Sequence, residues 1–282
     1  MENDSSDNSP APVEAAGGAG PQTAVSRNPL PRVAEDQCLT VGSGQCIGRL
    51  TGCRGCGRLN LVGANIELQS ADGASISAYA AEPIGSPKGG IVVLQESFGV
   101  NRHIEDVVNS YAAAGYYAIA PALFDRVERG IALGYTGDDQ EKAQRIMSSV
   151  DGTKVMLDIK AAIQNAGKAG SIGLVGFCWG GSLAFAAAVD LEGIDVAVTY
   201  YGAGISAMAH RSPAVPVMMH FGEQDHEIPL SRVKKIQELR PELPVFTYPA
   251  GHGFNCNNRA GFDQESAKTA SLRTLDFLQE NF

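Results

Sequence analysis

From about residue 61 onward, short apolar runs alternate with segments that carry the apolar spacing of helices. The run at 90–95, Gly-Ile-Val-Val-Leu-Gln, is typical of a strand that is covered on both faces. Similar strands are predicted at 117–121, 172–177, 196–201, 215–221 and 245–248. Helices are predicted at 103–114, 139–149, 153–165, 180–189, 231–239 and 264–279. This alternation predicts an α/β fold with a mostly parallel central sheet and helices on both faces.

A hairpin is predicted before this alternation, because the segments 66–69 and 75–79 alternate in polarity around the turn Ala71-Asp72-Gly73. In parallel sheets that are covered on both faces, ligands bind beyond the carboxyl ends of the strands. Functional residues are therefore expected in the loops that directly follow the buried strands.

The first 60 residues differ in composition from the rest of the chain. Residues 1–32 are rich in Pro, Ala, Gly, Ser, Asn and Asp and lack hydrophobic periodicity, which predicts disorder. The expected organisation is a disordered, cysteine-containing leader at 1–60, followed by one folded domain at 61–282.

Four of the six cysteines lie in this leader: Cys38, Cys46, Cys53 and Cys56. One interpretation is a zinc knot in which all four thiolates bind the ion. A second is an unordered tail with incidental cysteines, because the spacing forms only one Cys-x-x-Cys pair. A third is that translation starts near Val62 or Gly63, so that the leader lies outside the protein.

Charge and hydropathy argue against several partners. The formal net charge is -9, whereas nucleic acid or an anionic membrane would require a basic surface. No apolar run approaches the roughly 18 residues of a membrane span. The N-terminus lacks a secretory signal, so a cytoplasmic location with reduced thiols is expected. The expected partner is a small-molecule substrate, and the protein is expected to be a monomer or a homodimer.

The segment Gly176-Phe177-Cys178-Trp179-Gly180-Gly181 joins a predicted buried strand to a predicted helix. A nucleophile flanked in this way by glycines, between a strand and a helix, is the pattern of a nucleophile elbow. The free N–H groups at the start of the helix favour a thiolate, and the amide of Trp179 points to where an oxyanion would develop. The alternative is a structural glycine-rich turn with a buried, inert cysteine.

Two candidate partners of Cys178 follow later strands. Asp225 comes after the strand at 215–221, and His252 lies between two glycines after the strand at 245–248. The order nucleophile, acid, histidine is the one used by hydrolases with this elbow, so the three residues are predicted to form a catalytic triad. The other histidines are interpreted as structural: His103, His210, His220 and His226.

Several blocks of the chain, spread over residues 64–280, resemble the dienelactone hydrolase (carboxymethylenebutenolidase) family of the α/β-hydrolase superfamily. In chain order they are Gln95-Glu96-Ser97-Phe98-Gly99-Val100-Asn101, Gly115-Tyr116 with Pro121, the elbow, Tyr200-Tyr201-Gly202, Gly222-Glu223-Gln224-Asp225, Gly251-His252-Gly253-Phe254 and Arg273-Thr274-Leu275. The resemblance implies an α/β-hydrolase domain that cleaves a cyclic enol ester with a Cys–His–Asp triad, without a metal or another cofactor.

The resemblance also implies roles for two residues after the first buried strand. Glu96 would accept the thiol proton of Cys178 when substrate binds, so that the reactive thiolate forms only on demand. The amide of Ser97 would be the second oxyanion donor, beside that of Trp179.

Two positions depart from the family pattern. The arginine that contacts the substrate carboxylate four residues after the histidine is replaced by Cys256, and the serine directly after the histidine by Gly253. Arg259, Lys142 and Arg145 are candidates for the missing positive charge. Lys142 and Arg145 also fit the solvated face of a helix.

The predicted function is hydrolysis of a small ester or lactone through an acyl-thioester intermediate. Substrate contacts are predicted for Tyr201, Phe98 and Arg259. A broad carboxylesterase or thioesterase would use the same triad with a different pocket. A non-catalytic relative would instead bind a ligand or a partner in the same cleft.

Overall fold

The computed structural model describes residues 62–282 and, before them, only four residues. These four form two short antiparallel strands, β1 (Thr40–Val41) and β2 (Gln45–Cys46). The rest of the predicted leader, and with it the predicted zinc knot, lies outside the described residues.

Eight further strands form one sheet. They are β3 (Ala64–Gln69), β4 (Ser75–Ala81), β5 (Gly90–Leu94), β6 (Tyr117–Pro121), β7 (Ile172–Phe177), β8 (Val196–Tyr200), β9 (Val217–Gly222) and β10 (Val245–Tyr248). Their spatial order is β10-β9-β8-β7-β5-β6-β4-β3. Strand β4 runs in the direction opposite to that of the other seven strands of this sheet. The predicted mostly parallel sheet, with a hairpin at one edge, is therefore confirmed.

Seven α-helices lie within residues 62–282. They are α1 (Arg102–Ala113), α2 (Gly137–Ser148), α3 (Gly152–Ala166), α4 (Trp179–Asp190), α5 (Ile205–Met208), α6 (Leu230–Leu239) and α7 (Gln264–Glu280). The six predicted helices are confirmed to within about two residues at each end. The sequence analysis missed α5, because four residues are too few to show a helical period. None of the helices in this part of the chain could cross a membrane.

The central strands explain why the predicted site residues gather at one edge of the sheet. Every residue of β5, β7, β8 and β9 is buried, which requires cover on both faces. These strands and β10 run in parallel, so their carboxyl ends lie at the same edge. The chain segments that leave this edge carry Glu96, Cys178, Asp225 and His252.

A buried ion cluster joins the hairpin to α3. Asp158 of α3 is fully buried, and Arg126 donates to its two carboxylate oxygens at 2.7 and 2.8 Å. The hydroxyl of Ser70 is also hydrogen-bonded to Asp158. The same guanidinium donates to both oxygens of Asp72, in the hairpin turn, at 2.8 and 2.9 Å. These hydrogen bonds, first to Asp158 and then to Asp72, raise the pKa of Arg126.

Removal of the Arg126 guanidinium is expected to destabilise the domain. Arg126→Ala should lower the free energy of unfolding by about 3 kcal/mol, because Asp158 would stay buried without its cationic partner. Urea denaturation followed by circular dichroism measures the change. In the control Arg211→Ala, the lost partner Asp190 is exposed, and a loss below about 1 kcal/mol is expected. Equal losses of unfolding free energy in the two variants would contradict the claim that the buried ion pair matters more than the exposed one.

Candidate active site

Cys178 alone forms the turn between strand β7 and helix α4, since β7 ends at Phe177 and α4 begins at Trp179. Its backbone has φ 53° and ψ -115°, a conformation that residues with a side chain rarely adopt. The amide of Cys178 donates to the carbonyl oxygen of Tyr200 at 3.0 Å, which holds the strained turn against β8. This is the strand–turn–helix context in which the sequence analysis placed the nucleophile.

The glycines that flank Cys178 are required by close backbone contacts. A β-carbon on Gly176 would lie 2.0 Å from the carbonyl oxygen of Gly180. A β-carbon on Gly180 would lie 2.2 Å from the carbonyl oxygen of Leu94, at the end of β5. Backbone atoms cannot move aside as a flexible side chain can, so glycine is needed at both positions if the sharp turn is to pack against β5.

The three residues of the predicted triad lie in a chain of hydrogen-bonding contacts. His252 Nε2 is 3.2 Å from Cys178 Sγ, and His252 Nδ1 is 2.7 Å from Asp225 Oδ2. The second oxygen of Asp225 accepts from the amides of Glu227 and Ile228 at 2.8 and 2.9 Å. These amides fix the carboxylate, and the carboxylate in turn fixes the orientation of the imidazole.

The electrostatics of these three residues favour a proton on His252 and a charge on Asp225. Burial lowers the pKa of His252, but the hydrogen bonds and charges of Asp225 and Cys178 more than compensate and raise it to about 10. Burial raises the pKa of Asp225, yet the contacts with His252 and with the two amides outweigh this, and the pKa is lowered. The imidazole can therefore hold a proton beside the sulfur of Cys178 and donate it to a departing group.

The two predicted oxyanion donors lie in segments that are tied together. The amide of Gly180 donates to the carbonyl oxygen of Gln95 at 3.0 Å, so the start of α4 lies against the segment that carries Ser97. Within residues 62–282, the amides of Trp179 and Ser97 donate to no backbone acceptor. Both remain available to a ligand, and their role as an oxyanion hole stays a prediction.

Glu96 is fully buried and is held by two donors. The hydroxyl of Tyr135 donates to its Oε2 at 3.0 Å, and Nη1 of Arg259 donates to its Oε1 at 3.0 Å. Both carboxylate oxygens are thus occupied by donors other than Cys178. Neither oxygen is hydrogen-bonded to Cys178 among the described residues, so a transfer of the thiol proton to Glu96, as the family resemblance implies, would require the two side chains to approach each other.

Tyr135 is the centre of a polar network that the sequence analysis missed. Its oxygen accepts from Asn101 Nδ2 at 3.1 Å and from the thiol of Cys256 at 3.2 Å. Because two donors point at this oxygen, the hydroxyl proton is directed to Glu96. Burial raises the pKa of Tyr135, and the charge of Glu96 adds to this effect. Tyr135 lies in a loop without periodicity, so no sequence signal could have identified it.

Of the three residues that the sequence analysis proposed as the missing positive charge, Arg259 is the one that lies beside Glu96. Its guanidinium also lies over the rings of Phe98 and Tyr135, with centroid distances of 5.7 and 5.8 Å. Gly253 has φ +74°, and a β-carbon there would lie 2.7 Å from Cδ of Arg259. The absence of a side chain at Gly253, directly after His252, therefore leaves space for the side chain of Arg259. Burial lowers the pKa of Arg259, but the Glu96 charge outweighs it, so the guanidinium stays charged.

The other two candidate cations are engaged elsewhere. Lys142 forms an exposed ion pair with Glu128 at 2.8 Å, and Arg145 lies 4.0 Å from exposed Glu141. These contacts agree with the interpretation of a solvated helix face.

The two aromatic residues predicted to touch the substrate lie beside the site but are buried. The ring of Tyr201 lies 5.1 Å from that of His252, and its backbone has φ 39°. The ring of Phe98 meets that of Tyr135 edge-on at 4.7 Å. Both rings support site residues in this structure, and their contact with a substrate stays a prediction.

Two of the histidines interpreted as structural are buried. His220 is bonded by Nδ1 to the Tyr248 hydroxyl at 2.9 Å and by Nε2 to Thr274 at 3.1 Å, and burial lowers its pKa to about 3. His103 is buried against Phe177, but its Nε2 has no hydrogen-bond partner. One ligand atom each of His103, Glu96 and Cys256 lie within 4.8 Å of one another, close enough to hold a metal ion.

The comparisons of this sequence with known proteins agree on one family. The model of the dienelactone hydrolase family matches residues 76–282. A carboxymethylenebutenolidase from Pseudomonas putida is 36% identical over 224 residues, which cover 76% of this chain and 94% of the relative. Carboxymethylenebutenolidase 1 of Cupriavidus pinatubonensis is 30% identical over 224 residues, with coverages of 76% and 95%.

Solved structures agree with the observed topology. A crystal structure from Klebsiella pneumoniae, described as a dienelactone hydrolase, has a TM-score of 0.64 at 28% identity and covers 76% of this chain and 98% of its own. An esterase from Pyrococcus furiosus has a TM-score of 0.59 at 18% identity, with coverages of 83% and 98%. The predicted α/β-hydrolase fold is therefore confirmed.

Proposed function

The chain belongs to the dienelactone hydrolase family, and we propose that it hydrolyses a small ester or lactone with Cys178 as the nucleophile. The observation that carries this proposal is the alignment of Cys178, His252 and Asp225, with contact distances of 3.2 and 2.7 Å. The strained turn at Cys178 and the free amides next to it support the same reaction. All of these residues lie within 61–282, which supports the proposal that this part of the chain is the hydrolase domain.

In the proposed reaction, the thiol proton of Cys178 passes to Glu96 when substrate binds, and the thiolate Sγ attacks the carbonyl carbon of the substrate. The amides of Trp179 and Ser97 hold the negative oxygen of the tetrahedral intermediate. When the intermediate collapses, the C–O bond to the alcohol breaks, and the protonated His252 gives its Nε2 proton to the departing oxygen. An acyl-thioester on Cys178 remains.

Water completes the cycle in a second addition. His252 removes a proton from the water while the water oxygen attacks the thioester carbonyl, and Asp225 keeps the imidazole oriented. Collapse of this second intermediate breaks the C–S bond and releases the carboxylic acid, and the sulfur of Cys178 regains its proton from Glu96.

Glu96 is proposed to receive the thiol proton when substrate binds. In the structure it is held by Tyr135 and Arg259. A substrate group that attracts Arg259 would weaken one of these contacts and free a carboxylate oxygen. The proposal therefore links thiolate formation to occupation of the pocket, which would protect the resting thiol from oxidation.

Glu96→Gln is expected to lower kcat/KM by roughly 100-fold, within the range for loss of a general base, while the protein still folds. The amide keeps the shape of the side chain but cannot take up a proton at neutral pH. Steady-state hydrolysis of p-nitrophenyl acetate measures the effect. The control Glu223→Gln removes an exposed carboxylate that bonds Thr247, and it should retain wild-type rates. Wild-type rates in Glu96→Gln would remove Glu96 from the reaction.

The substrate class is tested by the charge of the acyl group. Arg259 is proposed to bind a substrate carboxylate, because its Nη1 already binds the carboxylate of Glu96. Two p-nitrophenyl esters of matched chain length, one with a free carboxylate at the end of the acyl chain, give the relevant kcat/KM ratio. Wild type is expected to prefer the charged ester by at least about tenfold, in line with a charged hydrogen bond.

The ratio of kcat/KM for the charged ester to kcat/KM for the neutral ester should fall to about one in Arg259→Met and be partly retained in Arg259→Lys. Because this ratio compares two substrates of the same variant, a general loss of activity cancels. A wild-type ratio near one, with equal turnover of simple esters and thioesters, would favour the broad carboxylesterase or thioesterase. The replacement of the family arginine by Cys256 is the feature that favours this second candidate. Absence of any turnover would favour a non-catalytic relative.

A further inference from the structure

Three buried side chains behind the proposed active site converge on one point. Glu96 follows strand β5, His103 lies in the first turn of helix α1, and Cys256 lies in the loop after β10. One ligand atom from each, a carboxylate oxygen, a ring nitrogen and the sulfur, lie within 4.8 Å of one another. Three separate segments thus bring a nitrogen, a sulfur and an oxygen donor together.

The histidine of this cluster has an unsatisfied nitrogen. His103 Nε2 is buried, and no group of the described residues satisfies it. A buried polar atom without a partner costs about 1–3 kcal/mol, so something else is expected to occupy the point that it faces. A ring nitrogen of a neutral imidazole is a common metal ligand.

The geometry suits a zinc-like ion after a small contraction. Three atoms that lie within 4.8 Å of one another leave a point that is no more than about 2.8 Å from any of them. Zinc needs about 2.0–2.3 Å to nitrogen, sulfur and oxygen, and it accepts this mixture of donors in a tetrahedral site. Side-chain movements of up to about 0.5–0.8 Å at each ligand would therefore close the site, with water as the fourth ligand.

The surrounding charges set the strength of binding. Arg259 lies 3.0 Å from Glu96 and opposes a second cation, while ligation would release the thiol proton of Cys256 to solvent. The thiol of Cys256 is buried and donates its proton to the oxygen of Tyr135, so the ion must displace a proton that is held in a hydrogen bond. Binding is consequently expected to be reversible and weaker than that of a structural zinc site.

We propose that Glu96, His103 and Cys256 form a site for a zinc-like divalent cation, and that occupation of this site inhibits hydrolysis. An ion bound to the Glu96 carboxylate would prevent it from receiving a proton, and an ion bound to the sulfur would break the Cys256–Tyr135 hydrogen bond. The inhibition rests on the proposed function of Glu96, whereas the binding does not.

Cobalt(II) is the probe for binding, because thiolate ligation gives it a charge-transfer absorption. The titration uses the full chain with Cys178→Ala, which removes the proposed nucleophile as a competing thiol. The same protein with Cys256→Ser is expected to bind one equivalent less and to lose the corresponding absorption. Any contribution from the cysteines of residues 1–60 is common to both proteins and cancels in the difference.

His103→Gln in the Cys178→Ala protein is the second variant, and it covers the case in which Cys256→Ser does not fold. Its cobalt affinity is expected to fall by more than the roughly 10- to 100-fold that substitutions in the outer shell of a metal site cause. Cobalt spectra and affinities that are unchanged by either substitution would overturn the site and leave an ordinary buried water as the partner of His103.

Inhibition is tested with zinc on the wild-type chain. Turnover of p-nitrophenyl acetate should fall as zinc is added and return with EDTA, and Cys256→Ser should require at least about tenfold more zinc for the same fractional loss. Equal zinc sensitivity in both proteins would place the inhibiting ion elsewhere and overturn the proposed regulation. Absence of turnover in wild type would refute the proposed hydrolysis, while the cobalt titration would still decide whether the cation binds.

Discussion

Cys178→Ala is expected to abolish turnover of p-nitrophenyl acetate, with a loss in kcat of roughly 10⁴-fold or more, as for other hydrolases that lose their nucleophile. The sulfur is the atom proposed to form the acyl-thioester, and its contact with His252 at 3.2 Å is lost with it. Alanine retains the β-carbon, so the strain at φ 53° is unchanged and the variant should fold like wild type. Thermal unfolding with and without the substitution verifies this.

Cys178→Ser is the matched variant for the chemistry. A hydroxyl at the same position keeps a hydrogen bond to His252 but is a weaker nucleophile than a thiol, so its rate should lie between those of wild type and Cys178→Ala. Mass spectrometry of the quenched wild-type reaction should detect an acetyl group on Cys178. Turnover that persists at the wild-type level in Cys178→Ala would assign the reaction to another residue.

The second large effect is expected at the acid of the triad. Asp225→Asn should lower kcat by roughly 10³- to 10⁴-fold, as amide replacement of a triad aspartate does elsewhere. One oxygen of Asp225 accepts from the amides of Glu227 and Ile228, so the asparagine oxygen is expected to keep that place. Its NH₂ group would then point at His252 Nδ1 and force this nitrogen to accept. The proton of the neutral imidazole would move to Nε2, which could no longer take a proton from the attacking water.

Glu227→Gln is the control for Asp225→Asn. The Glu227 carboxylate lies 3.7 Å from His252 Nε2 but is exposed, and its loss should change kcat by less than about tenfold. Asp225→Asn also removes the charge that raises the pKa of His252, so nuclear magnetic resonance should find the pKa of this imidazole lower in the variant than in wild type. Similar rate losses in the two variants would mean that long-range charge, rather than the tautomer of His252, controls the reaction.

Much of the fold and the proposed triad could be predicted from the sequence because their signals are local. A buried parallel strand is a short continuous apolar run, and the elbow at Cys178 needs glycines that are visible in the same six residues. Asp225 and His252 could be predicted because each follows an apolar run, although the strand before His252, β10, was predicted to be buried and is an edge strand in which only Tyr248 is buried. The parallel arrangement that the alternation of strands and helices predicts then brings the strand ends to one edge.

The surroundings of Glu96 could be identified only in the tertiary structure. Glu96 and Arg259 are 163 residues apart, and the sequence analysis proposed Arg259 as one of three cations without its partner. Tyr135 and the unsatisfied nitrogen of His103 had no sequence signal as site residues, because loop conformation and packing decide which side chains meet. The sequence therefore determined the succession of strands and helices, the elbow and the candidate triad, since strand and turn patterns are periodic and local. Only the tertiary structure decided which charges and donors surround Glu96, since those contacts depend on how distant loops pack.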